Sequence, residues 1–549
     1  MTALVDSSGL QLDLSQVAFT APGSRLLVLA GEDGGLQVAS AQYERRISDC
    51  LLLRRLAVVD AGGRPLPVSS VLPHRIEFAG GAATLGFSGP DALSVGGDPE
   101  LAVAYETVTG PTGRHRLGTG WRFSWNGPGF AVAQTTGHEA DLEASRAAWA
   151  EWFARCPRVR PDLQAMTDYC WWVLGANIVH LGVTGNARAV VPSKLGYVAL
   201  WQWDAYFIAA GLRHGDPALA REQISLALQF PSPDGQLPDV VHDGGVLASS
   251  DDLPPGDQER LRERGSAASG TRVPLTKPPL AAWAVQHVLE SDPDEAWLSA
   301  LLPTLLASQD WWFAASDSDH DGLPEYAHPY SSGLDDSPVF DGPLPVTTPD
   351  LAAYLIRQDE LLAAWLDARD PAAAARCRAR ADATFAQLME LWDPATGVFR
   401  SRDRQGQVPA ETVLGLMPLL TGRLPVAVVD ALLAALDDPD RHATQWPVST
   451  VASVDPSFDP DAMWRGPVWL NTNRLLIEGL VASGHPERAG DLTERTLAMV
   501  VAGGGPHEYF NPHTAAKPER AVTMFSWTAA LYVDLAVRAS SPGSGQALR

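Results

Sequence analysis

The residues best suited to chemistry fall in four short runs that mix ionisable groups with aromatic rings. Residues 201–207 read Trp-Gln-Trp-Asp-Ala-Tyr-Phe, and residues 329–338 read Pro-Tyr-Ser-Ser-Gly-Leu-Asp-Asp-Ser-Pro. Residues 464–469 read Trp-Arg-Gly-Pro-Val-Trp, and residues 506–512 read Pro-His-Glu-Tyr-Phe-Asn-Pro. Carboxylates beside Trp and Tyr suit glycoside chemistry. The rings stack on the apolar face of a sugar, and the carboxylates bind hydroxyls or move protons. Any one run alone reads as a solvated loop, so the argument rests on the set. A fifth run, Asp317-Ser318-Asp319-His320-Asp321-Gly322, has the Asp-x-Asp-x-Asp-Gly start of a calcium loop. Its twelfth position is His328 rather than a bidentate Glu, so the ligand set needs another carboxylate. There is no HExxH spacing, P-loop, GxGxxG after a strand, or GxSxG elbow. His507 reads as a loop contact, and Gly503-Gly504-Gly505 as a tight turn.

Two kinds of element must carry these runs. Up to about residue 138 the chain reads as short strands broken by Gly, Pro, Asp and Asn, such as Leu36–Ser40 and Trp121–Trp125, where large apolar and polar residues alternate. That pattern predicts an N-terminal antiparallel β-sandwich over 1–138, followed by a linker helix within 139–160. Over 161–549 about twelve helices are expected: 161–181, 203–214, 217–229, 278–290, 294–315, 349–368, 371–393, 411–421, 425–437, 467–484, 487–501 and 520–538. Pro217, Pro278, Pro371, Pro425 and Pro467 sit near their starts, where a missing N–H costs little. Short connections such as Gly215-Asp216-Pro217 alternate with long ones at 230–277, 316–348, 394–410, 438–466 and 502–519. Twelve helices with that alternation suggest an (α/α)6 barrel whose long loops gather at one mouth. No repeat of solenoid length is evident.

Composition bounds the partners. The 549 residues hold 41 basic and 65 acidic side chains, a net charge of 41 − 65 = −24, which opposes nonspecific binding to nucleic acid or an anionic membrane. Cys50, Cys156, Cys170 and Cys377 are widely spread, with no CxxC pair. The N-terminal stretch lacks the basic and apolar regions of a signal peptide, and no apolar run is long enough to span a membrane. A soluble cytoplasmic protein is expected.

Taken in order, Trp203-Asp204 with Phe207, Lys277-Pro278-Pro279, Ser332-Gly333-Leu334-Asp335-Asp336-Ser337-Pro338, Trp464-Arg465-Gly466-Pro467-Val468-Trp469, His507-Glu508-Tyr509-Phe510 and Phe525-Ser526-Trp527 resemble glycoside hydrolase family 63. More narrowly they resemble its mannosylglycerate and glucosylglycerate hydrolase branch, with trehalases as more distant relatives. The resemblance covers about residues 145–540 and implies an (α/α)6 barrel and inverting hydrolysis of an α-linked glucosyl or mannosyl residue. Inversion uses one carboxylic acid to protonate the leaving oxygen and one carboxylate to activate water. The motif match makes Asp335 the acid and Glu508 the base, with Asp336 left as a turn residue or the acid itself.

Trp203 and Asp204 match the pair that floors and fixes the sugar. Gln236, Lys277, Gly333, Trp464, Arg465 and Trp527 complete the expected substrate contacts. Two positions depart from the family. Lys277 stands where relatives commonly carry Gln, and Ser331 where Glu often precedes the Ser-Gly pair. Arg465 is expected to bind substrate, to orient Glu508, or to form a buried salt bridge. Some relatives bind calcium at a loop like Asp317–Asp321; no cofactor is required for the chemistry, and a structural ion there would brace the loop carrying Asp335.

Other chemistries on the same barrel make different demands. A sugar isomerase or epimerase needs paired His bases, whereas the long loops here offer carboxylates. A phosphorylase would keep only the acid and use phosphate as nucleophile. A noncatalytic carbohydrate-binding protein would need neither Asp335 nor Glu508.

Overall fold

The computed structural model describes residues 9–253 and 272–541, apart from 32 and 128, together with 258. Part of the expected 230–277 loop, and the first eight residues of the N-terminal stretch, therefore lie outside the described residues. The chain divides into two compact units.

The first unit comprises 1–181, 188–199 and 522–526. It contains two antiparallel sheets. Strands β1 (Leu26–Ala30), β2 (Leu36–Ser40), β3 (Leu51–Val59), β8 (Ala102–Thr107) and β9 (Thr112–Arg116) lie side by side in that order. The other sheet has the order β11 (Gly129–Gln134), β10 (Trp121–Asn126), β7 (Ala92–Gly97), β6 (Ala83–Phe87), β5 (Arg75–Phe78), β4 (Val68–Leu72). Rings of the two sheets meet where Tyr105 sets its edge to Phe123 at 5.4 Å. The expected linker helix is α1 (His138–Ala154), and it packs on β6 and β7. His138 anchors it there between Thr84 Oγ1 at 2.7 Å and Ser94 Oγ at 3.0 Å. Helix α2 (Pro161–Ala176) joins the same unit through paired indoles: Trp152 and Trp171 each donate Nε1–H to the other's carbonyl, at 2.8 and 2.9 Å. Contacts thus divide the chain later than the boundaries at 138 and 160 drawn from sequence. The helix expected over 161–181 ends at Ala176, and Ile178–Leu181 is a strand paired with Ala187–Val190.

Among the described residues the second unit carries the longer α-helices that follow: α3 (Gln202–Leu212), α4 (Pro217–Ala227), α5 (Ala281–Ser291), α6 (Glu295–Ala315), α7 (Pro349–Leu366), α8 (Pro371–Leu388), α9 (Val426–Asp437), α10 (Leu470–Ala482), α11 (Pro486–Gly503) and α12 (Ser526–Ser540). Segment Val413–Thr421, expected as an α-helix, is a 3-10 helix with Pro418 inside it. Proline cannot supply an N–H to the α-helical ladder. Helix starts follow their caps. The Asp216 side chain accepts from Leu219 N–H before Pro217 opens α4, and Asp370 accepts from Ala373 N–H before Pro371 opens α8.

Every residue of α3 is buried, as expected of a helix wrapped on all sides, whereas α11 buries one stripe. Helix α3 packs on α5, α5 on α7, α7 on the 3-10 segment, and that segment on α10. Arg474 of α10 is ion-paired with Asp534 of α12, and α12 lies against α3 at Gly211, where a Cβ would meet the Ala530 carbonyl oxygen at 2.2 Å. Helices α4, α6, α8, α9 and α11 pack on α3, α5, α7, the 3-10 segment and α10 respectively. Each inner element runs into its partner through a short turn, and each return to the next inner element is long. All the long returns therefore end at the N-terminal tips of the inner helices. Among the described residues, no helix is long and apolar enough to cross a membrane.

Candidate active site

The acidic and aromatic runs meet at those inner-helix tips. Asp204 lies in the first turn of α3 and is 6% exposed. A small sheet fixes what stands beside it: Leu200–Trp201 pairs with Val240–His242, and Gln202 N–H donates to Asp239 O at 3.2 Å. This register places Asp239, which sequence reasoning passed over, next to the start of α3. Lys277, just before α5, sets its Nζ 2.8 Å from Asp239 Oδ1 and donates to Tyr330 O at 2.5 Å.

The loop bearing Asp335 is locked locally. His328 Nδ1 accepts from Tyr330 N–H at 2.9 Å, capping the single turn Pro329–Ser332. His328 is thereby occupied in the loop carrying Asp335. Ser332 Oγ donates to Pro329 O at 2.6 Å and accepts from Leu334 N–H at 3.0 Å. Gly333 closes the turn at φ 72°, and the Trp203 ring lies against it so closely that a Cβ would stand 2.1 Å from Cζ2. Only glycine satisfies both the left-handed backbone and that approach. Asp336 accepts from Trp464 N–H at 2.9 Å, which ties this loop to the Trp-Arg-Gly-Pro-Val-Trp run. Asp336 thus serves as a tether between the two runs, and burial raises its pKa as well. Val468 and Phe510 exchange backbone hydrogen bonds of 2.8 and 3.0 Å, so the same run also pins the segment holding Glu508.

Around these carboxyls the rings form a rigid box. Trp464 stacks on Trp469 at 3.7 Å, Trp469 on Tyr509 at 4.8 Å, and Trp203 sets its edge to Trp527 at 5.5 Å. Trp203, Trp464 and Trp527 are each at most 2% exposed, so most of their area packs on protein.

The electrostatics follow from burial. Asp335 is pushed up to about 7, first by burial, then by Asp239, Asp336 and Glu508, with Lys277 opposing. Its Oδ1 is buried without a hydrogen-bond partner. Asp204 is raised well above the carboxylate range by burial, with Glu508 and Asp335 adding and Lys277 opposing. Burial lowers the pKa of Lys277, but Asp239, Asp335 and Asp204 outweigh it and hold the ammonium charged. Glu508 is 3% exposed. A carboxyl protonated near neutrality, sharing a buried site with a second acidic group, can deliver a proton to a leaving group while the other draws one from water.

The profile of the Mannosylglycerate hydrolase MGH1-like glycoside hydrolase domain matches residues 197–528, which include every residue of this cluster. The chain belongs to this family, within glycoside hydrolase family 63. The chain is 29% identical over 412 residues to mannosylglycerate hydrolase of Thermus thermophilus, covering 63% of this chain and 96% of that protein. It is 26% identical over 431 residues to glucosylglycerate hydrolase of Mycolicibacterium hassiacum, covering 64% and 94%. A family 63 mannosylglycerate hydrolase from Thermus thermophilus, solved with Tris and D-glycerate, superposes with a TM-score of 0.56 at 26% identity, covering 67% of this chain and 98% of that one. A family 63 member is a glycoside hydrolase.

Other expected site residues stand differently. Gln236 donates Nε2–H to Ala248 O and Leu275 O, both at 2.8 Å, so its amide group braces two loops. Arg465 forms a two-pronged pair with Asp341 at 3.0 and 2.5 Å. Of the three expected parts, the salt bridge is present, and it is partly exposed rather than buried. Burial lowers the pKa of His507, whose Nε2 lies 2.9 Å from Gly503 O, in keeping with a loop contact.

Asp317, Asp319 and Asp321 bring ligand oxygens within 4.8 Å of one another. Asp317 Oδ1 is buried without a hydrogen-bond partner, while Asp321 pairs with Arg402. Glu325 lies close enough for Asp319 and Asp321 to raise its pKa, behind the larger effect of burial. A hard cation fits this oxygen set.

Proposed function

We propose that the chain hydrolyses a terminal α-linked glucosyl or mannosyl residue from a small glycoside, with inversion at the anomeric carbon. Asp335 protonates the departing oxygen, and Glu508 takes a proton from the water that attacks the opposite face. The observation that carries this reading is the buried Asp335 carboxyl, raised to about 7 beside Glu508 and Lys277. Asp204 and the edges of Trp203, Trp464 and Trp527 would bind the sugar. The relatives named for mannosylglycerate and glucosylglycerate support glycerate as leaving group. The closed succession of inner helices, each backed by an outer one, supports an (α/α)6 barrel as the frame. Free cysteines support a cytoplasmic setting, and calcium at Asp317, Asp319 and Asp321 would brace the segment leading to Asp335.

The test is proton NMR of α-glucosylglycerate and α-mannosylglycerate during turnover. The β-anomer of the sugar should appear first and then mutarotate. Appearance of the α-anomer first would mean retention and remove Glu508 from its assigned part.

A further inference from the structure

Lys277 lies among the buried carboxyls of the cluster. Asp204, Asp239, Asp335 and Glu508 are all buried, and Lys277 is the basic side chain that faces Asp204, Asp239 and Asp335. Its ammonium is gripped from two sides: Asp239 holds it at 2.8 Å, and it holds Tyr330 O, five residues before Asp335, at 2.5 Å. A lysine ammonium carries three donors, so two are engaged on the loops flanking the acid. Gln at this position would be neutral, and could reach the same carbonyl without bringing charge.

We propose that Lys277 is a positioning residue that both holds the Asp335 loop and sets the pH range over which Asp335 keeps its proton, with Asp239 as its anchor. This rests on Asp335 being the acid. The groups facing Asp335 are Lys277 from the start of α5, Asp239 from the edge of the small sheet, Asp336 from its own loop, Glu508 from the segment after α11, and Asp204 from α3. The cation favours the ionised carboxylate, and each anion favours the protonated form. Removing the two members of the Lys277–Asp239 pair therefore has opposite consequences. Without the cation the proton is held more tightly, and without the anion it is held less tightly.

The experiment is the pH dependence of kcat/KM for α-glucosylglycerate and α-mannosylglycerate, measured for the native chain and for K277Q, K277R, D239N and D335N, with Tm recorded for each. The alkaline limb reports loss of the acid's proton. K277Q should move that limb up by about one to two pH units, as expected for losing an opposite charge at close range. D239N should move it down, and K277R should restore the native position. Opposite displacements cannot come from simple loosening of the fold, and K277R keeps the test decisive if K277Q is too unstable to assay. If D335N is inactive while the Lys277 and Asp239 variants leave the limb in place, or move it the same way, the inference is overturned and the acid assignment stands. If D335N retains native activity, the acid assignment falls and the inference falls with it.

Discussion

Two buried charge clusters, one at the tips of the inner helices and one between the helices, are built on opposite principles. At the N-terminal tips, Asp204, Asp239 and Asp335 face Lys277, with Glu508 close by, and the carboxyls of Asp204 and Asp335 are pushed up. Toward the C-terminal ends, Asp534 is ringed by Arg213 at 2.9 Å, His214 at 2.8 Å, Arg474 at 2.8 Å and Arg538 at 3.0 Å. Glu478 accepts from Arg474 and from Trp283 Nε1, both at 2.9 Å. Burial works against both carboxylates, yet the neighbouring cations draw Asp534 and Glu478 well below the usual range, and Glu290 to about 2. A buried carboxylate with full partners is a fixture of the fold. One short of partners keeps its proton, and a proton held near neutrality is what an acid catalyst must have.

The sharpest way to break the comparison is to neutralise one member of each cluster. Replacing Glu508 by Gln, or Asp335 by Asn, should lower kcat by about 10²–10⁴-fold, the usual worth of a positioned acid or base. Melting temperature should stay level or rise, because the change relieves crowding among buried carboxylates. Product formation followed by NMR, together with calorimetry, reads both. A variant that melts early but turns over normally would invert the assignment. Replacing Asp534 by Asn should do the reverse and cost about 3–5 kcal/mol of stability, since buried guanidinium groups lose their counter-charge. Turnover measured well below the melting temperature should persist. A denaturant titration showing unchanged stability would contradict the view that this cluster holds the helices together.

The pH dependence separates the clusters by sign. Asp335 has a folded value of about 7 against an ordinary value of 3.8, so it favours the folded state fully below that ordinary value. That contribution is lost as pH rises toward 7. Asp534, Glu478 and Glu290 are depressed, so their contribution is present above the ordinary carboxylate range and is lost as pH falls through their folded values. Melting curves of D335N should therefore lack part of the native protein's decline between about pH 4 and pH 7, a difference of a few degrees. Superimposable curves would remove Asp335 from the account.

Two smaller effects sharpen the picture at the surface. The Asp317, Asp319 and Asp321 loop, with Arg402 on Asp321, is short of positive charge in the way the Asp335 cluster is, but more open to solvent. Chelation should lower Tm and activity together, and added calcium should restore both; an unchanged melting curve would leave the loop as a polar turn. Replacing Arg465 by Ala should cost under about 1 kcal/mol, as for other partly exposed ion pairs. KM should stay within about twofold of native. A large rise in KM would return Arg465 to the substrate.

Much of this was legible in the residue order. Asp216-Pro217 and Asp370-Pro371 mark helix starts through side-chain caps that act within one turn, and both helices begin there. Period-2 alternation placed Trp121–Trp125 as a strand, because side-chain direction alternates along a strand whatever it packs on, and the Gly34-Gly35 turn placed Leu36–Ser40. The alternation of short and long connections survived for the same reason, being set by local helix boundaries.

What escaped is what depends on partners distant in sequence. Asp239 follows a proline in an unremarkable loop, and it becomes part of the site only because the strand at Val240 pairs with Leu200–Trp201. A carboxylate after Gly-Gln-Leu-Pro was the available signal. Gln236 and Arg465 carry the right chemistry in the right motifs, yet Ala248, Leu275 and Asp341 claim their hydrogen bonds. Helix α2 was read with its helical neighbours because its sequence is helical, but the indole partner of Trp171 lies in α1. Residue order determined the local elements and the identities of the ionisable groups, since caps, turns and periodicity act over a few residues. Tertiary structure alone decided which carboxylate would be buried with an oxygen lacking a hydrogen-bond partner and hold its proton, because burial and charge are properties of the neighbours that folding supplies.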